Sequence, residues 1–483
     1  MEPDDKTTPG HPLDSVVETT PVVIIDFDES IQHPHNWPNV QRWSILILNT
    51  LISLLVNLST TIVAPLLETI SAEFHMDPQV EGPLVMSSYV LTLALGPLLL
   101  APFGELYGRV VLIQCGLLVY LVFNLACGFA TTKAQLIAFR VLAGIGSGAA
   151  PVVGIAMISD CFRNDERGTA LGVLNMAFIL AAPLGAIVGG LAAQSTSWRF
   201  IFFAPSIAAG LLVLVGLFVY HESYPPVILS RKKRQFQHDG HLVCKTPYDD
   251  RHPTIADLYY KTIIRPVYFL TTQPIIQVLS LYTGYIYGLT YLIFSTFTSL
   301  WEQQYHETAS IASLHYIAAG IGYFIGIVAC ILFADRIYRG LKGKNNDIGR
   351  PEFRIPMMSV SAILIPTSLF WYGWTAQEHI QWVVPNLAIV LTMCGCTIVF
   401  QCTTAYCIEA YPLYAASASA ASFLCRGLCA FGFPLFAPSL YARLGYGWGD
   451  SILGFVALII SGLVPVVLWK FGVRLRKISS YAI

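Results

Sequence analysis

RVLAGIGSGAAPVVGIAMISDCFRNDERGTALGVLNMAFILAAPLGAIVGG, residues 140–190, contains two apolar runs that flank the short charged turn DCFRNDER. Each run is long enough to cross a bilayer, because about 20 apolar residues in a helix span the hydrocarbon core. The first run opens with Arg140, and the second closes with Gly185 and Gly189 at four-residue spacing. The stretch therefore predicts two closely packed membrane helices, one of which carries a functional charge.

The composition of the whole chain extends this prediction to a multi-span membrane protein. Of 483 residues, 55% are hydrophobic and 12% are charged, whereas soluble domains carry about 25% charged residues. The net charge of -1 gives no basis for a nucleic-acid partner. Most of the eleven cysteines lie in apolar runs, which predicts neither a disulfide framework nor a metal site, and we expect no cofactor.

Twelve apolar runs of spanning length occur in two groups of six, which predicts an all-α membrane protein with two pseudo-symmetric six-helix bundles. The predicted runs are 43–67, 82–104, 110–130, 135–160, 168–193, 199–220, 272–300, 311–333, 355–374, 381–407, 416–441 and 448–472. They divide the chain into a disordered cytoplasmic tail (1–42), an N-terminal bundle (43–220), a cytoplasmic middle loop (221–271), a C-terminal bundle (272–472) and a cytoplasmic C-terminal tail (473–483).

The lysines and arginines predict the orientation. With the N-terminus in the cytoplasm, 23 of the 28 basic residues face the cytoplasm, three face outward, and Arg140 and Arg426 lie within spans. Cytoplasmic loops are enriched in these residues, so both termini are expected to be cytoplasmic. The two halves also echo each other, since Glu105-Leu-Tyr-Gly-Arg109 follows the second run and Asp335-Arg336 follows the eighth.

Several motifs in order carry a family resemblance from about residue 40 to the C-terminus. They are APFGELYGR (101–109), RVLAGIGSGAA (140–150), HESYPPVILSRKKR (221–234), LYTGYIYGLTYLIFSTF (281–297), LFWYGW (369–374), YPLYAASASAAS (411–422) and PLFAPSLYARLGYGWGDS (434–451). With these motifs the chain resembles the major facilitator superfamily, in particular fungal twelve-span drug:proton antiporters. The resemblance implies alternating access and the export of lipophilic molecules, with the site between the two halves.

The resemblance also implies a cytoplasmic gate. Glu105, Gly108 and Arg109 match the family's inner-gate motif, with Val110 where a second basic residue is usual. Glu105 is expected to face the N-terminus of span eleven, and Arg109 to pair with Asp160. Asp335 and Arg336 are the counterparts in the second half. The alternative interpretation is that these charges are solvated and only set the topology.

Coupling residues are predicted in the stretch quoted first. Arg140, Gly144 and Gly148 form a stripe at four-residue spacing, and the functional interpretation has Arg140 facing the cavity and coupling protonation to motion. The alternative is an arginine that reaches the outer interface. Pro183, Gly185 and Gly189 resemble the family's antiporter motif, a bendable helix, although alanines 182 and 186 depart from it. Simple close packing of small residues is the alternative there.

The seventh run carries aromatic and polar residues on one face, which is typical of a cavity for a lipophilic substrate with a few polar groups. The predicted cavity residues are Asn57, Tyr287, Tyr291, Phe294 and Gln401. Hydrogen bonding between helices is the alternative for each of them. No acidic residue is predicted near the middle of a span, so the proton carrier stays open; His315 is one candidate.

These observations favour a secondary transporter that exports a drug or metabolite in exchange for protons. The alternative is an importer of the same fold, coupled to protons or facilitated. No motif of a membrane enzyme or of an ATP-driven pump is present. The expected partners are a lipophilic small molecule, protons and the lipid bilayer, and the expected form is a monomer in the plasma membrane.

Overall fold

The computed structural model describes residues 23–24, 33–163, 166–195, 197–238, 244–245, 255–479 and 481. These residues are largely helical. Two strands of two residues each, Val23–Ile24 and Cys244–Lys245, form one short parallel pair. Most of the predicted N-terminal tail lies outside the described residues.

Within the described part of the chain, eleven continuous helical segments are long and apolar enough to cross a membrane. Spans 1 to 10 are Asn39–Glu73, Glu81–Leu106, Arg109–Gly128, Lys133–Cys161, Arg167–Ala193, Phe200–Val219, Pro274–Gln304, Ala309–Lys344, Pro351–Gln377 and Val383–Ala410. In three of these segments the α-helix is locally interrupted. Span 1 contains a 3-10 turn at Ala64–Leu66, and span 4 is interrupted at Gly148. Span 8 is interrupted at His315 and contains a π-helix at Cys330–Ala334.

The last helix, Ala415–Ile478, supplies two spans. Its 64 residues would extend about 96 Å as one helix, about three times the thickness of the hydrocarbon core. Gly445 breaks it with a φ of 70° and a ψ of 173°, a conformation that glycine adopts without steric cost. We therefore define 415–444 as span 11 and 446–478 as span 12, so the predicted total of twelve is confirmed.

The structure differs from the prediction at several span ends and in the middle loop. Span 1 begins at Asn39, before the predicted residue 43, and span 12 continues through Ile478 into the predicted C-terminal tail. The middle loop contains helical segments, Pro225–His238 and, in three adjoining pieces, Ile255–Tyr259, Tyr260–Ile264 and Arg265–Thr272. These segments are too polar for a search based on apolar runs to detect.

An even number of spans places both ends of the chain on one side, which we call the terminal side; the other is the distal side. Spans 1–6 form one half and spans 7–12 the other. On the distal side the halves are joined by hydrogen bonds from Gln303 to Glu68 (2.9 Å), from Ser310 to the Gly190 carbonyl (2.7 Å) and from Ser439 to Gln79 (3.2 Å).

On the terminal side, residues at span ends that would touch if the two halves were in contact are exposed to solvent. Glu105 and Tyr107 at the end of span 2 are exposed, and Leu413 just before span 11 is 85% exposed. The structure therefore has its halves in contact on the distal side and separated on the terminal side.

Candidate functional site

Arg140 is fully buried inside the first half. Its Nε donates a hydrogen bond to the Val85 carbonyl (3.1 Å) in span 2, and a terminal nitrogen donates to the Ser59 carbonyl (3.0 Å) in span 1. Its guanidinium carbon lies 4.2 Å from the centre of the Tyr89 ring. The predicted cavity-facing orientation is therefore not found. Arg140 ties spans 1, 2 and 4 together through two backbone carbonyls and an aromatic face. Its other terminal nitrogen is buried without a partner, and no carboxylate among the described residues pairs with it.

A chain of hydroxyl groups surrounds this buried arginine. The Tyr89 hydroxyl contacts Ser147 Oγ at 2.6 Å and donates to the Val56 carbonyl, and Ser59 Oγ contacts the Tyr120 hydroxyl at 2.6 Å. Gly144, one turn after Arg140, has no room for a Cβ, which would overlap Thr92 and the Tyr89 carbonyl. The predicted stripe on span 4 is thus a tightly packed polar contact between spans 2 and 4.

Span 5 packs its small residues against two neighbours. A Cβ on Gly185 would overlap the Leu58 carbonyl, and one on Gly189 would overlap the Ile62 carbonyl, so spans 1 and 5 touch backbone to backbone. Thr61 Oγ1 donates to the Ala182 carbonyl at 2.6 Å, directly before Pro183. Gly190, next in the chain, packs against Ser313 of span 8 in the other half. The predicted antiporter-like segment therefore lies at the contact between the halves.

The first part of the predicted gate is assembled on the terminal side. Arg109 Nε lies 3.7 Å from Asp160 Oδ2, as predicted, and the Arg109 guanidinium stacks 4.5 Å from the Tyr224 ring centre. The backbone N–H groups of Arg109 and Val110 donate to the Glu222 carboxylate at 2.9 and 3.3 Å. Glu222, for which the sequence predicted no role, thus accepts hydrogen bonds at the positive N-terminus of span 3.

Gly108 is required at this turn for two reasons. Its φ of 103° lies in the region that favours glycine, and a Cβ there would overlap the Glu222 carboxylate. The predicted contact of Glu105 with span 11 is not found. Glu105 is exposed and forms no hydrogen bond or ion pair with another described residue, because the halves are apart on this side.

The second half repeats the charge arrangement of the first. Arg354, at the start of span 9, pairs with Glu409 at the end of span 10 and with Asp335 in span 8, each at 2.9 Å. The Tyr338 ring stacks 4.4 Å from the Arg354 guanidinium, as Tyr224 does on Arg109. Arg354 is thus the counterpart of Arg109, whereas the predicted Arg336 is exposed and makes no ion pair within the described residues.

An aromatic cluster occupies the predicted cavity. Ring centres of Tyr287 and Tyr291 are 5.1 Å apart, those of Tyr291 and Phe294 are 6.3 Å apart, and Tyr287 packs at 5.5 Å on Phe400 of span 10. The Tyr291 hydroxyl approaches Thr60 of span 1, in the other half. The cluster therefore bridges the halves.

The two predicted polar cavity residues take less part in contacts between helices. Asn57 is half-buried and donates to the Ser53 carbonyl of its own helix at 2.8 Å. Gln401 is half-buried and follows Phe400 directly in span 10. Both are available to a ligand without breaking a contact between helices.

Asp450, in span 12, is a buried carboxyl group that the sequence prediction missed. One of its oxygens accepts a hydrogen bond from the Tyr441 hydroxyl at 2.6 Å, and the other is buried without a partner in the described structure. Tyr285, Tyr372 and Tyr446 are its other titratable neighbours, and no lysine or arginine among the described residues forms an ion pair with it. Asp450 is the third residue of the predicted run 448–472, and it was missed because only the middle of each span was searched for acidic residues.

Replacement of Glu222 by glutamine is expected to lower the free energy of unfolding by about 1 kcal/mol, because an amide offers one acceptor where the carboxylate offers two. Thermal unfolding of the purified protein in detergent measures this. Glu105→Gln is the matched control and is expected to leave the midpoint unchanged, since its side chain is exposed. Equal shifts in both variants would contradict the assignment.

Comparisons with known proteins agree with this geometry. The family model described as Major Facilitator Superfamily matches residues 50–434. The chain is 39% identical over 456 residues to the efflux pump vrtL of Penicillium aethiopicum (93% of this chain, 89% of that protein). It is 37% identical over 483 residues to the efflux pump radE of Floropilus chiversii (98% and 89%). Among solved structures, the partially occluded inward-open xylose transporter XylE from E. coli superposes with a TM-score of 0.65 at 16% identity (89% of this chain, 99% of that chain).

Proposed function

This chain belongs to the major facilitator superfamily and is a membrane transporter, and we propose that it exports lipophilic small molecules by alternating access in exchange for protons. The observation that carries the proposal is the aromatic cluster of Tyr287, Tyr291 and Phe400 between two halves that are separated on one side and in contact on the other. The names of the relatives vrtL and radE, both efflux pumps, support the direction.

The terminal side is cytoplasmic in this proposal, because it carries 23 of the 28 lysines and arginines. The structure then represents the state that takes up substrate from the cytoplasm. Export out of the cell requires the plasma membrane, and we propose that the protein acts there as a monomer.

The gate and the coupling segment have distinct parts in the transition. Closing the terminal side brings the exposed Glu105 towards the N-terminus of span 11, where the helix dipole favours a carboxylate. Opening the distal side separates span 5 from span 8 at Gly190 and Ser310. Arg140 keeps spans 1, 2 and 4 together, so the first half moves as a unit.

Asp450 is the group we propose to carry the proton. An ionised carboxyl group buried without a cation is costly, so Asp450 is proposed to take up a proton from outside when the distal side opens and to keep it when that side closes. Exchange of substrate for protons then requires release of this proton towards the cytoplasm before the distal side opens again. Tyr441 and Tyr446 line a cavity on the distal side together with Glu68 and Gln303, so opening this side admits water near Asp450.

Transport by purified protein in liposomes tests the function. With the lumen made acidic, inside-out vesicles should accumulate a lipophilic dye against its concentration gradient as protons leave, and an ionophore should stop it. Accumulation in right-side-out vesicles with the medium made acidic would favour the alternative, an importer, and no gradient-dependent flux in either orientation would contradict the proposal.

Asp450→Asn is expected to abolish proton-driven accumulation, since the amide cannot exchange a proton, while dye binding in detergent is retained. Glu302→Gln, an acid near the distal end of span 7, is the matched control and should leave accumulation intact. Proton-driven accumulation at the unmodified rate in Asp450→Asn would remove this residue from the coupling.

A further inference from the structure

Arg426 is a charged residue near the middle of the membrane whose role is not yet explained. It lies eleven residues into span 11 (415–444), about 16 Å from its start and therefore close to the centre of a core about 30 Å thick. A charge at this depth is costly, and a protein keeps it there when it performs a function.

The guanidinium of Arg426 is held by aromatic rings but is not neutralised. Its central carbon lies 5.0 Å from the Phe400 ring centre and 5.1 Å from that of Phe423. It forms no hydrogen bond or ion pair with another described residue, and its buried Nε has no partner. Arginine has five N–H donors. Arg140 uses its Nε and one terminal nitrogen on two carbonyl groups and leaves only its other terminal nitrogen without a partner, whereas no nitrogen of Arg426 donates to a described residue.

Arg426 lies beside the contact between the halves. The neighbouring Gly427 packs against Ala94 of span 2, in the other half. Because consecutive helical residues point about 100° apart, Arg426 lies next to this contact, against Phe400 of span 10. The charge of Arg426 also acts on the Tyr287 hydroxyl of the aromatic cluster. Arg426 is half-buried, so part of the residue stays exposed although its Nε is buried.

We propose that Arg426 binds an anionic group of the substrate, and that the substrates are therefore flat aromatic weak acids, namely carboxylic acids or ionised phenols. A guanidinium binds a carboxylate through two parallel hydrogen bonds, and such charge-assisted bonds are stronger than neutral ones. Phe400 and Tyr287 supply aromatic surface beside it. This assignment rests on the proposed export function and specifies its substrate class.

Binding of two dyes with related rings and opposite charge tests the assignment. Full-length protein in nanodiscs is titrated with fluorescein, an anion in mildly alkaline buffer, and with tetramethylrhodamine methyl ester, a cation, and empty nanodiscs are subtracted. The unmodified protein should bind fluorescein at least about tenfold more tightly. Arg426→Met should remove that preference by weakening fluorescein alone, and Arg426→Lys should retain part of it.

Arg443→Met is the matched control, since Arg443 lies on the same span but is exposed at its distal end. It should leave both affinities unchanged. Equal weakening of both dyes in Arg426→Met, or no weakening of either, would overturn the assignment. If Arg426→Met does not fold, competition on the unmodified protein decides: benzoate should displace fluorescein at a lower concentration than benzamide does, and equal displacement would overturn the assignment.

The outcomes separate this inference from the export function. If the protein transports the cationic dye in a proton-driven manner but does not bind fluorescein more tightly, the role of Arg426 is refuted and the export function is supported. Binding of fluorescein through Arg426 without transport of either dye in vesicles would support the ligand class and contradict export.

Discussion

Arg140→Ala is expected to reduce transport by about 100-fold, which corresponds to about 2.7 kcal/mol, while the protein still reaches the membrane. The guanidinium connects the carbonyls of Ser59 and Val85 in two other spans and stacks on Tyr89. Without it, spans 1, 2 and 4 lose the contact that lets the first half move as one body. Flux in proteoliposomes measures the effect, and the amount of monodisperse protein reports folding.

Two variants control for charge and for position. Arg140→Lys keeps the charge but not the planar fork of donors, and intermediate transport is expected. Lys133→Ala, at the start of the same span, removes an exposed ion pair with Glu81 and is expected to transport normally, since such pairs contribute at most about 1 kcal/mol. Unimpaired transport by Arg140→Ala would remove this arginine from the mechanism.

Gly189→Leu is expected to prevent folding. A Cβ at this position would already overlap the Ile62 carbonyl, and a backbone carbonyl cannot turn away as a side chain can. Overpacking a well-packed core costs about 1–3 kcal/mol, and here spans 1 and 5 would have to separate as well. Size-exclusion chromatography of detergent extracts should show loss of the monodisperse peak.

Gly172→Leu is the matched control on span 5. No atom lies within 4 Å of a Cβ built at Gly172, so this variant should elute and transport like the unmodified protein. Gly189→Ala should fall between the two, with a lowered unfolding temperature. Normal folding of Gly189→Leu would show that spans 1 and 5 are not in backbone contact.

The fold could be predicted because it depends on hydrophobicity summed over about 20 residues, which is a strong local signal. The twelve spans and the family resemblance are confirmed. The helices of the middle segment were missed, because Pro225–His238 contains RKKR and is not apolar.

The candidate gate was predicted only where the family motif supplied a partner. The Arg109–Asp160 pair, which joins the start of span 3 to the end of span 4, was found in this way. Its counterpart, Arg354 with Glu409, joins the start of span 9 to the end of span 10 in the same manner, but it was missed because the counterpart was sought at Asp335-Arg336. Glu222 was missed because its partners are backbone N–H groups that any residue carries.

The orientation of a side chain around its helix was the least predictable feature. Arg140 was expected to face the cavity, yet Gly144 and Tyr89 show that its face of span 4 is packed against span 2. Arg426 instead lies half-buried beside the aromatic cluster of the predicted cavity, with no acidic partner among the described residues. Hydrophobic periodicity does not distinguish a helix face that packs on a neighbour from one that borders a cavity.

Distances between spin labels on the two sides of the membrane test alternating access most directly. One pair replaces Tyr107 and Leu413, which are exposed on the terminal side; the other replaces Val80 and Leu444, exposed on the distal side. Reactive native cysteines are first replaced. We predict that both distances change as pH and substrate concentration are varied. The fraction of molecules with a shortened terminal-side distance should equal the fraction with a lengthened distal-side distance. Distances that stay fixed under all conditions, or that lengthen together, would contradict the account.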